Sequence, residues 1–300
     1  MRESVTFAGL DGYPLEGSLY GQPHTAHTAL LMNSATGIPR GFYRRFCQRA
    51  AELGFLVLSY DYRGIGGSAP PSLRKCDAVY RDWGQLDLPA ALDFLQAEAP
   101  ELPLVAVGHS TGGQQLGLSD RVSTVRAALF VAVSTGYWRG MPGFMRWQNL
   151  ALWRLFAPVC TRVLGYFPSR LFGLGENLPV GVAREWGDWC LQPDYMAAYF
   201  DETGRYTPRD GRPFGPQHFE DARFPVRSVN FEDDPISSKK NVPPLLAMYT
   251  RATIDVQWHH PKSFNTQSVG HLGFFRKAHA AQWDAHLLWL QANAHTNQCI

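Results

Sequence analysis

Gly108-His109-Ser110-Thr111-Gly112 sets a serine between small residues, and a hydroxyl presented on such a turn can act as a nucleophile. Serine is a weak nucleophile at neutral pH. It needs a base within hydrogen-bond reach and an acid to orient that base. Both types stand downstream. His271 lies in Ser268-Val269-Gly270-His271-Leu272-Gly273, where flanking glycines let the backbone place the ring. Glu232-Asp233-Asp234-Pro235 follows the apolar stretch Val226–Phe231 and offers Asp234 as the acid, with Asp233 as the alternative. The carboxylate left over would cap the loop or close an Asx-turn. Acyl transfer also needs two N–H donors for the developing oxyanion. One is expected from Thr111, directly after the serine. The other is expected from Asn33-Ser34-Ala35-Thr36-Gly37, at Ala35, with Thr36 as the fallback.

A G-x-S-x-G match is common by chance, so context decides. Here it follows the apolar strand Leu102–Val107 and opens a helix over Gly113–Leu118. A nucleophile elbow requires that strand–turn–helix setting. Gly108 and Gly112 let strand and helix approach, and the helix N-terminus adds free N–H groups and partial positive charge. The other histidines fit the base less well. His109 is expected to point elsewhere on the turn, and His259-His260 precede Pro261 with no metal-ligand spacing.

The elements that must carry these residues follow from the pattern. Ser4–Ala8 and Leu15–Tyr20 alternate around Asp11-Gly12, a hairpin signal. Ala29–Met32, Phe55–Tyr60, Leu102–Val107 and Ala127–Val133 are short apolar runs, as in strands buried on both faces. Helical patterns lie between them at Arg40–Leu53 and Arg81–Ala97, the latter with Pro89 as a kink or a late start. Strand order returns at Val226–Phe231 and Ile254–Trp258, and a last helix is expected over Lys277–Ala292. The alternation predicts an α/β fold with a mostly parallel central sheet and helices on both faces. Residues 1–134 and 224–300 form the expected core domain. Residues 135–223, rich in Trp, Phe, Gly and Pro, are the expected helical cap insertion.

These segments resemble the α/β-hydrolase superfamily over nearly the whole chain outside the cap. Ser34-Ala35-Thr36-Gly37, Phe42-Tyr43-Arg44-Arg45-Phe46, Asp61-Tyr62-Arg63-Gly64-Ile65-Gly66 and Gly270-His271-Leu272-Gly273-Phe274-Phe275-Arg276 are similar to a bacterial group within it. That group is related to the serine aminopeptidase-like, or lysophospholipase-like, hydrolases. The resemblance implies the α/β-hydrolase fold, a Ser-Asp-His triad at Ser110, Asp234 and His271, and hydrolysis through an acyl-enzyme. It supplies no substrate. One departure stands out: Asn33-Ser34 replaces the usual His-Gly of the oxyanion loop.

Composition narrows the function classes. The 300 residues are 45% hydrophobic and 18% charged with net charge +2, which is globular and offers no clustered basic face for nucleic acid. The five cysteines are odd in number, widely spaced and without C-x-x-C, which argues against a disulfide framework or zinc site and for a reducing compartment. With no signal peptide or transmembrane segment read, a soluble cytoplasmic protein without cofactor or metal is expected. The sequence sets no oligomeric state. Gly64-Ile65-Gly66-Gly67 lacks dinucleotide spacing, and Arg63 is read as a loop tie. In the cap, Phe144, Trp147, Leu150, Trp153 and Phe156 recur every third residue. They read as cap core packed on the main domain, with an apolar acyl-chain site as the competing reading. The expected function is hydrolysis of a carboxylic ester, with a small-molecule acyl substrate, in one reading apolar. A peptidase or thioesterase would use the same residues. A cofactor-free haloperoxidase or lyase would reuse them, and a non-catalytic ligand-binding protein is the alternative of another class.

Overall fold

The structure is a computed structural model that describes residues 2–200 and 207–295, so Cys299 and part of the expected cap lie outside the described residues. Cys47, Cys76, Cys160 and Cys190 are free thiols.

Eight strands form one sheet in the order β1-β2-β4-β3-β5-β6-β7-β8. β1 (Arg2–Ala8) and β2 (Pro14–Tyr20) make the hairpin, and β2 joins β4 antiparallel. The remaining strands run parallel: β3 (Thr28–Asn33), β4 (Phe55–Tyr60), β5 (Leu104–His109), β6 (Val125–Val131), β7 (Pro225–Phe231) and β8 (Thr253–His259). Parallel neighbours need crossover connections. Helices α1 (Arg44–Glu52), α2 (Leu88–Glu98) and α3 (Thr111–Leu116) lie in the first of these. Next come α4 (Met145–Ala151), α5 (Ala157–Leu164) and α6 (Val180–Leu191), all within the long β6–β7 connection. α7 (Val242–Leu246) follows β7, and α8 (Trp283–Ala294) follows β8.

β3, β4 and β5 are buried along their whole length, which explains their unbroken apolar sequences. Side chains alternate between two cores. Leu31, Leu58 and Ala106 share one with Leu92 of α2 and Leu116 of α3. Leu30, Val57 and Val105 share the other with Phe46 of α1 and Leu287 of α8.

The helix expected from Arg81 opens instead as a wide π-type turn over Trp83–Asp87 and becomes α-helical at Leu88. Pro89 therefore falls in the first turn, where its missing N–H has no intrahelical partner to lose. The β6–β7 connection is helical, with a second wide turn at Leu152–Phe156 between α4 and α5. Phe167↔Leu178 is its isolated strand-like bridge among the described residues. Arg63 is buried and forks onto Asp87 and Asp11, at 2.7 Å and 2.8 Å, tying the loop after β4 to the β1–β2 hairpin.

Candidate active site

β5 ends at His109 and α3 begins at Thr111, so Ser110 is the whole turn between them. Its backbone sits at φ 52°, ψ −111°, a conformation that costs a non-glycine residue about 1–3 kcal/mol. The Ser110 N–H donates to the Val131 carbonyl at 3.0 Å, pinning the elbow to β6. The glycines have a steric cause. A Cβ on Gly108 would stand 2.5 Å from the Gly113 nitrogen, and one on Gly112 would overlap the Asn33 carbonyl. Either side chain would push α3 away from the sheet.

His271 follows β8 on a loop whose preceding residue, Gly270, takes φ 59°. Its Nε2 lies 2.9 Å from Ser110 Oγ, and its Nδ1 lies 2.7 Å from Asp234 Oδ2. Asp234 comes off the end of β7, fully buried in its side chain. Its other oxygen, Oδ1, accepts N–H bonds from Ile236 at 2.8 Å and Ser237 at 3.0 Å. Burial opposes the charge, but the His271 ring and these donors outweigh it and hold the carboxyl below its usual value. Asp233 points the other way. Its Oδ2 accepts from Ser268 Oγ, Val269 N and Gly270 N at 2.8, 2.8 and 3.0 Å. One carboxylate meets the ring, and its neighbour holds the backbone that presents the ring.

The loop after β3 differs from expectation at one donor. The Ala35 N–H is already engaged: it donates to the Tyr43 hydroxyl at 2.8 Å. Tyr43 is fully buried beneath the loop and brings its oxygen there from the turn preceding α1. The Thr36 N–H has no acceptor among the described residues. Thr111, as the first residue of α3, likewise has an N–H with no intrahelical acceptor. The N–H groups left without a partner are therefore those of Thr111, directly after Ser110, and of the fallback, Thr36.

Two residues that sequence reading passed over complete the arrangement. His109 is fully buried, and burial together with the nearby His271 ring pushes its pKa down to about 3, so the ring is neutral. Its Nε2 faces the His271 carbonyl at 2.8 Å, which can only accept, so Nε2 carries the proton. Nδ1 then accepts from the Tyr43 hydroxyl at 2.8 Å. Ala35, Tyr43, His109 and His271 thus form one chain of hydrogen bonds joining the β3 loop, the elbow and the histidine loop. Tyr43 stood in a quoted motif, but nothing local marked its partner 66 residues away. On the other side, the Tyr80 hydroxyl meets Thr36 Oγ1 at 2.5 Å and also interacts with the Thr111 side chain.

A cavity of about 500 Å³ lies within the β6–β7 connection and reaches Ile236, whose N–H donates to Asp234. Phe144, Trp147, Leu152, Phe156 and Trp186 line it, with Ile236 as a wall on the acid-loop side. Leu174, also in its lining, sets its carbonyl 3.1 Å from where a Gly37 Cβ would stand. Trp189 is buried in the connection, while Trp153 is buried and also lines the cavity. A second hollow, of about 640 Å³, is polar and lies at the opposite strand ends, around Leu104 and Arg126.

The profile of the Alpha/beta hydrolase family matches residues 29–283, and the chain belongs to that family. No curated protein sequence matches it. Solved structures agree in fold over nearly the whole chain. The α/β hydrolase GrgF from Penicillium sp. sh18 is similar at 19% identity and TM-score 0.59, covering 99% of this chain and 100% of that one. The Pyrococcus furiosus esterase Pf2001 is similar at 13% identity and TM-score 0.59, covering 97% and 91%. The esterase EaEST from Exiguobacterium antarcticum is similar at 15% identity and TM-score 0.57, covering 96% and 100%. No helix among the described residues is long and apolar enough to cross a membrane.

Proposed function

We propose that this chain is a serine hydrolase that cleaves carboxylic esters through an acyl-enzyme. The observation that carries the reading is the unbroken hydrogen-bond chain from Ser110 Oγ through His271 to buried Asp234, on a strained elbow. In the proposed reaction Ser110 Oγ attacks the carbonyl carbon while His271 Nε2 takes its proton. Asp234 fixes the ring with Nδ1 protonated and stabilises the imidazolium. The N–H groups of Thr111 and Thr36 receive the oxyanion. His271 then gives its proton to the leaving alkoxide as the C–O bond breaks. Water, deprotonated by the same ring, attacks the acyl-serine; the Oγ–acyl bond breaks, the acid leaves, and His271 returns the proton to Ser110 Oγ. The β6–β7 connection serves as the cap of this site, and its apolar cavity suits the acyl group better than the polar hollow at the far strand ends.

Labelling with a fluorophosphonate, with Ser110→Ala as control, tests this directly. Labelling of wild type alone is expected. Folded wild type that stays unlabelled would favour a non-catalytic ligand-binding role.

A further inference from the structure

The β6–β7 connection has a surface that acyl transfer does not use. From Thr135 to Gly175 the sequence holds no aspartate or glutamate, while Arg139, Arg146, Arg154, Arg162 and Arg170 are all exposed. Among the described residues only Arg170 of these five forms an ion pair, with Glu176. Eleven large apolar side chains are exposed among the described residues, and eight of them lie between residues 144 and 172. Leu155, Val159 and Val163 are 62%, 62% and 71% exposed and recur every four residues from the wide turn through α5, forming one outward ridge. Leu171, at 82%, adds to the patch. Phe144, Trp147, Phe156 and Phe172 do two things at once: they are exposed on this surface and they line the 500 Å³ cavity. The cavity therefore opens among these four side chains.

We propose that this face docks on an anionic lipid surface, and that an acyl chain leaves that surface to enter the cavity that reaches Ile236 of the Asp234 loop. Apolar side chains bordered by arginines, with only Glu176 beside Arg170 and Asp188 near Arg154 and Arg162 as neighbouring carboxylates, match the headgroup–acyl boundary of such a surface. A second copy of the chain is a poor occupant, since a two-fold interface would set arginines against arginines. An acidic protein would satisfy the arginines and leave the aliphatic ridge unmatched. The route of the acyl chain rests on the ester-hydrolase reading above; the docking does not.

Co-sedimentation separates the two. Ser110→Ala protein is mixed with vesicles of phosphatidylcholine alone or of phosphatidylcholine with phosphatidylglycerol. Binding is expected only to the second and should fall as salt rises. Arg154→Gln and Arg162→Gln should each lower the partition coefficient roughly fivefold. Val159→Glu should lower it at least about tenfold by burying a charge in the boundary. With Ser110 intact, all three variants should keep wild-type turnover of a short, water-soluble ester, which also reports their folding. Equal binding to both vesicles, or binding untouched by these substitutions, overturns the proposal. So does a wild-type dimer in sedimentation velocity that Val159→Glu dissociates, since a second copy then covers the face. Lipid binding by a protein that cleaves no ester would leave the docking in place and remove the hydrolase reading.

Discussion

Asp234→Asn is the most informative single change at the site. The aspartate divides its oxygens: Oδ1 accepts two N–H bonds, from Ile236 and Ser237, while Oδ2 accepts a hydrogen bond from His271 Nδ1 at 2.7 Å. An asparagine would keep its carbonyl oxygen on the two backbone donors, because an amide nitrogen cannot accept from them. Its NH₂ would then face His271 and require Nδ1 to be unprotonated. The ring proton moves to Nε2, which must donate to Ser110 instead of accepting from it. The site keeps its shape and loses its base. In serine proteases this tautomer reversal lowers kcat about 10⁴-fold, which corresponds to about 5 kcal/mol of barrier. The same order is expected here for kcat on a chromogenic ester, with KM little changed. Asp233→Asn is the control. Asp233 receives one hydroxyl and two N–H bonds, all from residues 268–270, and none from the ring. Loosening that loop should cost roughly 10–100-fold, comparable to other supporting contacts that orient a reacting group. Asp234→Asn activity within tenfold of wild type, or equal losses in both variants, would refute the assignment of the acid.

Other perturbations follow from the same geometry. Tyr43→Phe leaves the Ala35 N–H and His109 Nδ1 buried without partners, so denaturant unfolding should show about 1–3 kcal/mol of lost stability per orphaned group, and kcat should fall with it; unchanged stability would argue against the hydrogen-bond chain. Gly112→Ala sets a methyl group against the Asn33 carbonyl and should lower the thermal midpoint and abolish fluorophosphonate labelling; an active, labelled variant would contradict the packing of α3. Leu152→Trp narrows the cavity, so kcat/KM for a long-chain ester should drop at least about tenfold while a short-chain ester is spared; equal losses would place the acyl group elsewhere. Burial pushes the Glu185 carboxyl up to about 7 from 4.5 despite its pairing with Arg81. The folded state therefore binds the proton more tightly, and this contribution is full below about pH 4.5 and lost as pH rises through about 7. The thermal midpoint of wild type should decline from pH 5 to 8 more steeply than that of Glu185→Gln, and parallel slopes would exclude the coupling.

Legibility followed the range of the interactions. The parallel strands announced themselves because burial on both faces forces consecutive apolar residues, as in Phe55–Tyr60. The elbow was legible because steric contact with Gly113 and Asn33 restricts its glycines. At the Pro89 helix the sequence left a kink and a late start open, and the late start holds because a wide turn, which has no strong sequence signature, absorbs the residues before Leu88. At Asp233-Asp234 and Ala35-Thr36 the alternatives are adjacent in sequence. A shift of one residue in a loop redirects a side chain or an N–H entirely, so composition could not rank them firmly. In the β6–β7 connection the every-third-residue aromatic pattern suggested one packed face, yet Trp153 is buried while Phe144 and Trp147 reach solvent. The widened turn at Leu152–Phe156 breaks the regular helical phase on which such a pattern depends.

The sequence by itself determined the sheet, the elbow, the order of Ser110, the Asp233-Asp234 pair and His271 along the chain, and the family. Each of these is written in local terms: apolar periodicity, small residues at a tight turn, a histidine between glycines. Tertiary structure alone decided which aspartate meets His271, which N–H of the loop after β3 is left without a partner, and that Tyr43 and His109 tie three loops together. It also decided that the exposed side chains of Phe144, Trp147, Phe156 and Phe172 line the cavity. Hydrogen bonds select partners by distances and angles of a few tenths of an ångström, set by elements far apart in the chain, and no local pattern encodes them.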